Sequence, residues 1–191
     1  MIKDLQIPWQ RYALIVELAQ RLQTKRSQFG KTALQKLIYL LQEVYGVKCG
    51  YDYKLYTYGP FTSQVLQDLD QVDSLSGVDV TSVPTDLGGY RIEPGKNAAP
   101  IKEKESNFIA EHEGKLERLI NDYGAFSAKE LELRATAVYV ARDMQRDGKK
   151  VTVEALTQMV HDIKPYFPRE EIQSVVEELQ DKGHIKVAAD G

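Results

Sequence analysis

Apolar positions recur at intervals of three and four between residues 9 and 23, where Tyr12, Ile15, Val16, Ala19 and Leu22 share one face of an expected helix. The polar stretch 23–30, QTKRSQFG, reads as a connection. Leu34, Leu37, Ile38, Leu41, Val44 and Tyr45 then mark a second helix over 31–45, closed by Gly46. Ala33, Tyr39 and Leu40 widen its stripe until an arc of about 120° stays polar, carrying Thr32, Gln35, Lys36, Gln42 and Glu43. So apolar a helix is expected at the centre of the fold.

The period changes to two over Tyr51–Phe61, YDYKLYTYGPF, which predicts a strand broken by Gly59-Pro60. Helical spacing resumes over 62–72 through Val65, Leu66, Leu69 and Val72, and the runs 78–83 and 90–92 flank the turn-forming PTDLGG as a hairpin. Helix, helix, strand, helix, hairpin is a winged-helix-like inventory, although a winged helix places its first strand before its second helix. Residues 94–104, PGKNAAPIKEK, hold two prolines, one glycine and no apolar period, and read as a linker between parts 1–93 and 105–191.

The second part predicts a helix over 106–123 with Ile109, Leu116, Leu119, Ile120 and Tyr123 inward. Another starts at Ser127, where S-A-K-E matches a capping box, and runs to Arg146. Helices over 153–163 and 168–182 follow, then Gly183 as a cap and the alternating tail HIKV as a short strand. The fold expected is α+β and mostly α: a helical domain with a small antiparallel sheet, winged-helix-like elements, and a C-terminal helical part packed on the first.

The run KTALQKLIYLL from Lys31 to Leu41, the segment Tyr51–Phe61, the pair Asp68 and Leu69, and an echo in LELRATAVYV from Leu131 to Val140 resemble the Panacea, or SocA-like, antitoxin domain. The resemblance spans about residues 10–145 and is strongest over 31–69. It implies a mostly helical cytoplasmic protein that binds and neutralises a cognate toxin protein, and it brings no catalytic residues with it.

Charge sharpens this picture. Residues 1–60 carry nine Lys/Arg against four Asp/Glu, and residues 61–191 sixteen against twenty-four, so the first part is +5 and the rest −8. The two parts either attract each other or the basic one meets an acidic partner. The basic stretch Thr24–Lys36 contains Lys25, Arg26, Lys31 and Lys36 and no acid. A DNA-binding regulator is the alternative function, but the 62–73 helix carries Asp68, Asp70 and Asp73 without a cation, and 168–182 holds five acids against Arg169 and Lys182. Either would be repelled by phosphate.

Enzyme signatures are absent: there is no P-loop, dinucleotide-binding glycine pattern, G-x-S-x-G elbow or H-E-x-x-H. Glu111-His112-Glu113 points its side chains in different directions on a helix and reads as a solvated face, while His161 and His184 read as surface residues. The lone Cys49 reads as an inert thiol and fits a reducing cytosol. No apolar run of about 18 residues spans a membrane. The expectation is a non-enzymatic cytoplasmic binding protein without metal or cofactor. Its candidate partner residues are Lys25, Arg26, Lys31, Tyr51, Tyr53, Tyr56 and Tyr58. Alternation places Tyr51 and Tyr53 on one face and Tyr56 and Tyr58 on the other, so one pair must lie outside the core.

Overall fold

Helix α1 (Trp9–Leu22) and helix α2 (Lys31–Glu43) bury almost every apolar residue they carry, and the computed structural model places them at the middle of the molecule. The structure describes residues 7–25, 29–84 and 89–188. After α2 come strands β1 (Lys54–Tyr56) and β2 (Gly59–Phe61), helix α3 (Ser63–Ser74), strands β3 (Val78–Val83) and β4 (Gly89–Pro94), and helices α4 (Ala98–Glu103), α5 (Ser106–Glu111), α6 (Glu113–Tyr123), α7 (Ala128–Arg146), α8 (Val153–Ile163) and α9 (Arg169–Asp181). The architecture is α+β and mostly α, with two separate two-stranded antiparallel sheets. α1 packs on α3, α4 and β4, α2 packs on α6, α7 and β2, and α8 and α9 pair against α7. One continuous apolar core therefore runs through both halves of the chain.

Local signals placed several boundaries. Thr62 caps α3 by accepting from the Gln64 amide, and Ser127 and Glu130 exchange both hydrogen bonds of a capping box at the start of α7. The departures from expectation have physical reasons. Residues 94–104 are not an open linker, because α4 buries Ala98 and Ile101 on α1 and its Lys102 reaches the buried Glu17 carboxylate and Gln20. The helix expected over 106–123 is divided at His112. The tail 184–187 forms no strand: Gly183 turns the chain and His184 settles against Tyr123, whose hydroxyl lies 2.6 Å from its Nδ1. His161 likewise is half-buried, with Nδ1 3.2 Å from the Phe167 carbonyl oxygen.

The largest revision lies at the aromatic segment. Gly59-Pro60 does not end a strand; it opens the return strand of a hairpin, in the register Lys54–Phe61, Leu55–Pro60 and Tyr56–Gly59. Gly59 has φ +82°, and it supplies the left-handed bend that closes a turn through Thr57 and Tyr58. A Cβ on Gly59 would lie 2.8 Å from Thr136 Oγ1 on α7. Gly59→Val is therefore expected to cost about 2 kcal/mol or more, from β-branched strain at positive φ together with the steric conflict. Urea unfolding measures this, and an unshifted midpoint would refute the account of the turn.

Candidate functional site: an aromatic hairpin held on buried charge

Two strands of three residues are too short to persist by their own pairing. Here they are held by α2. An arc of polar side chains on a helix ordinarily faces water, but Gln35 and Lys36 are each only 2% exposed. The Gln35 amide donates to the Thr62 carbonyl at 2.7 Å and accepts from the Thr62 amide at 3.3 Å, and Lys36 Nζ donates to the Pro60 carbonyl at 2.6 Å. Two turns further on, Gln42 makes the same paired contact with the backbone of Tyr51. The polar arc is thus a clamp on both ends of the aromatic segment.

A second cation reaches the hairpin from the loop between α8 and α9. Lys164, 1% exposed, donates to the Thr57 carbonyl and to Glu132 Oε1, the latter at 2.8 Å. Tyr166 donates to the same carboxylate oxygen. Two buried ammonium groups therefore stand against one buried carboxylate. Burial pushes the Lys36 pKa down to about 8, attraction to Glu132 opposes that shift, and repulsion from Lys164 adds to it.

Alternation along the strand sorts the tyrosines. Tyr51 and Tyr53 are core residues: the Tyr51 hydroxyl donates to Asp68 Oδ2 at 2.7 Å, and the Tyr53 hydroxyl donates to the Gln35 carbonyl at 3.2 Å. Burial drives both phenol pKa values upward. They are therefore removed from the set of surface candidates, as is Asp68 from the exposed acids of α3. Tyr56 and Tyr58 are 59% and 68% exposed at the hairpin tip. Beside them runs a groove of about 270 Å³ lined by Lys31, Lys36, Tyr56, Tyr58, Phe61 and Leu66 among others. Lys31 stands at the start of α2 with its ammonium 3.9 Å from the centroid of the Tyr90 ring. Lys25 is exposed just past α1, away from any groove lining described, and Arg26 lies outside the described residues.

Two further basic residues of the first part are used internally. Arg11 donates to the Cys49 and Gly50 carbonyls and faces Asp68, and Arg21 bridges Glu17 and Glu113. Part of the charge asymmetry is therefore intramolecular attraction. Burial pushes the Cys49 thiol up to about 12, which keeps it protonated and unreactive at neutral pH. Among the described residues no three His, Cys, Asp or Glu side chains are grouped to hold a metal ion, and no helix is long and apolar enough to cross a membrane.

Glu132, Lys164 and Tyr166 escaped the sequence reading, and Lys36 entered it only as part of a polar arc and a basic stretch, not as a buried group. Lys36 carries a faint signal, a charge within a helix that is otherwise apolar over most of its circumference; Glu132, flanked by Lys129, Glu130 and Arg134, and Lys164, in a loop, carry none. Compared with known proteins, the chain matches no family model and no curated protein.

Because the folded pKa of Lys36 lies below that of an unfolded lysine, the unfolded chain binds more protons between about pH 8 and the ordinary lysine range. Stability contributed by this group rises with pH across that window. Wild type is expected to gain roughly 1 kcal/mol or more relative to Lys36→Met between about pH 7.5 and 9.5. Paired denaturation curves at the two pH values read this difference, and a constant gap would show that Lys36 is not held in a desolvated state.

Proposed function

We propose that the chain is a non-enzymatic, antitoxin-like protein that neutralises a cognate toxin protein in the cytoplasm by direct binding through the tip of the β1–β2 hairpin. The observation that carries this reading is the pair Tyr56 and Tyr58, mostly exposed on a turn whose carbonyls are held from below by Lys36 and Lys164. Tyrosine offers large contact area at low conformational-entropy cost, and a rigid presentation lowers the ordering cost of association. The resemblance of Lys31–Leu41 and Tyr51–Phe61 to the Panacea domain supports the same reading, and these two stretches are the ones that build the clamp and the hairpin.

DNA binding has weaker support, since α3 presents Asp70 and Asp73 to solvent and α9 opens on Glu170 and Glu171. The test is joint expression with the product of the neighbouring reading frame, followed by titration. The two proteins are expected to co-purify, and Tyr56→Ala with Tyr58→Ala is expected to cost about 2 kcal/mol of affinity, roughly thirty-fold, with an unchanged melting curve. Wild-type affinity in the folded double variant would overturn the assignment. So would tight binding to duplex DNA that weakens steeply with salt.

Lys25 and Arg26 affect encounter rather than residence in this reading. Reversing both charges is expected to slow association with an acidic toxin several-fold at low ionic strength, and the difference should fade as salt is added. Stopped-flow association rates measure it; equal rates at low salt would exclude long-range steering by this loop.

A further inference from the structure

An ammonium group taken out of water needs acceptors and a counter-charge. Lys36 has the first in part and lacks the second. Among the described residues its Nζ donates to one acceptor, the Pro60 carbonyl, and no carboxylate of those residues lies within ion-pair distance of it. The nearby Glu132 is already shared between Lys164 and Tyr166. The cluster therefore carries one positive charge in excess, and it lies directly under a groove whose lining includes Lys36 itself.

The lining of that groove includes the apolar and aromatic side chains Tyr56, Phe61 and Leu66 and, among the described residues, no Asp or Glu. Lys31 adds a second cation to the lining, held over the Tyr90 ring but not neutralised by it. We infer that the groove takes an apolar or aromatic side chain of a partner protein together with a neighbouring carboxylate, and that this carboxylate supplies the counter-charge missing at Lys36 and Lys31. The site assigned is an acidic-apolar recognition groove. Only the identity of the donor rests on the toxin reading above; the preference for a carboxylate follows from the buried charge alone. A bound carboxylate also stabilises the charged form of Lys36, so occupancy tightens the same bond that holds Pro60 and the hairpin tip.

The unmodified full chain tests this. In a titration followed by backbone amide shifts, 3-phenylpropionate is expected to perturb residues 31–36 and 56–61 and to bind at least about five-fold more tightly than the isosteric neutral 3-phenylpropionamide, a gap typical of one charge-assisted hydrogen bond. Lys36→Met is expected to abolish that preference and Lys31→Ala to reduce it. Because the Lys36 variant removes a buried contact, its melting curve is taken first, and the acid-against-amide comparison on wild type decides the question if it is unfolded. Equal binding of acid and amide, or shifts confined to other surfaces, would overturn the inference. Tighter occupation of the groove by a short oligothymidylate, or concentration-dependent shifts of the same residues without any additive, would replace the acidic partner with nucleic acid or with a second copy. A wild-type chain that neither co-purifies with nor neutralises the product of the neighbouring reading frame, alongside a retained acid preference, would refute the toxin reading and leave the groove standing.

Discussion

A lysine that is 2% exposed imposes its needs on everything near it. The Lys36 ammonium cannot stay charged in the interior without an acceptor, and the acceptor it finds is the backbone of a hairpin that has too few residues to hold itself. Each therefore depends on the other. Gln35 and Gln42 extend the same logic along α2, because a side-chain amide that both donates to and accepts from one residue's backbone replaces a rung of sheet pairing. The aromatic segment is in effect paired with a helix face at its two ends and with itself in the middle.

This arrangement explains why the hairpin tip carries its tyrosines outward. The side chains beneath it are cations occupied with carbonyl oxygens, and the core face of the segment is already filled by Tyr51 and Tyr53, with Tyr53 in edge-on contact with Tyr39 at a ring separation of 5.1 Å. Alternation leaves Tyr56 no place inside, and the turn leaves Tyr58 none. α7 completes the support: Glu132 faces the lysines, while Thr136 sits where a side chain on Gly59 would collide.

Helices α1, α2, α3 and α7 to α9 were legible from periodicity, since their apolar faces point into one core, and α3, α7 and α8 also carry the capping side chains Thr62, Ser127 and Thr152 that free amides require. The exposure of one tyrosine pair was legible too, as a consequence of period two, although the sequence left open which pair. What could not be read was where polar groups find each other across the fold. The same Gly59-Pro60 dipeptide that stops a helix-bound strand can begin a returning one, and the choice is made by Lys36 and Lys164, which lie outside the segment. The connection 94–104 was misread for a related reason: Ala98 and Ile101 are two apolar residues without a period, and only the face of α1 gives them something to cover. Buried charge is the least legible of all, because on paper Lys36 belongs to the polar side of its helix.

Lys164 stands 107 residues after the Thr57 carbonyl it holds. A ribosome thus releases the hairpin, the clamp helix and Glu132 well before the last of the groups that fix the turn. Until that lysine emerges, Glu132 lacks the ion partner it has in the folded chain and the tip lacks its second support. The surface at Tyr56 and Tyr58 consequently matures only once residue 164 is in place rather than with its own segment, and chains cut short before residue 164 would present a differently charged, looser tip to the same surroundings.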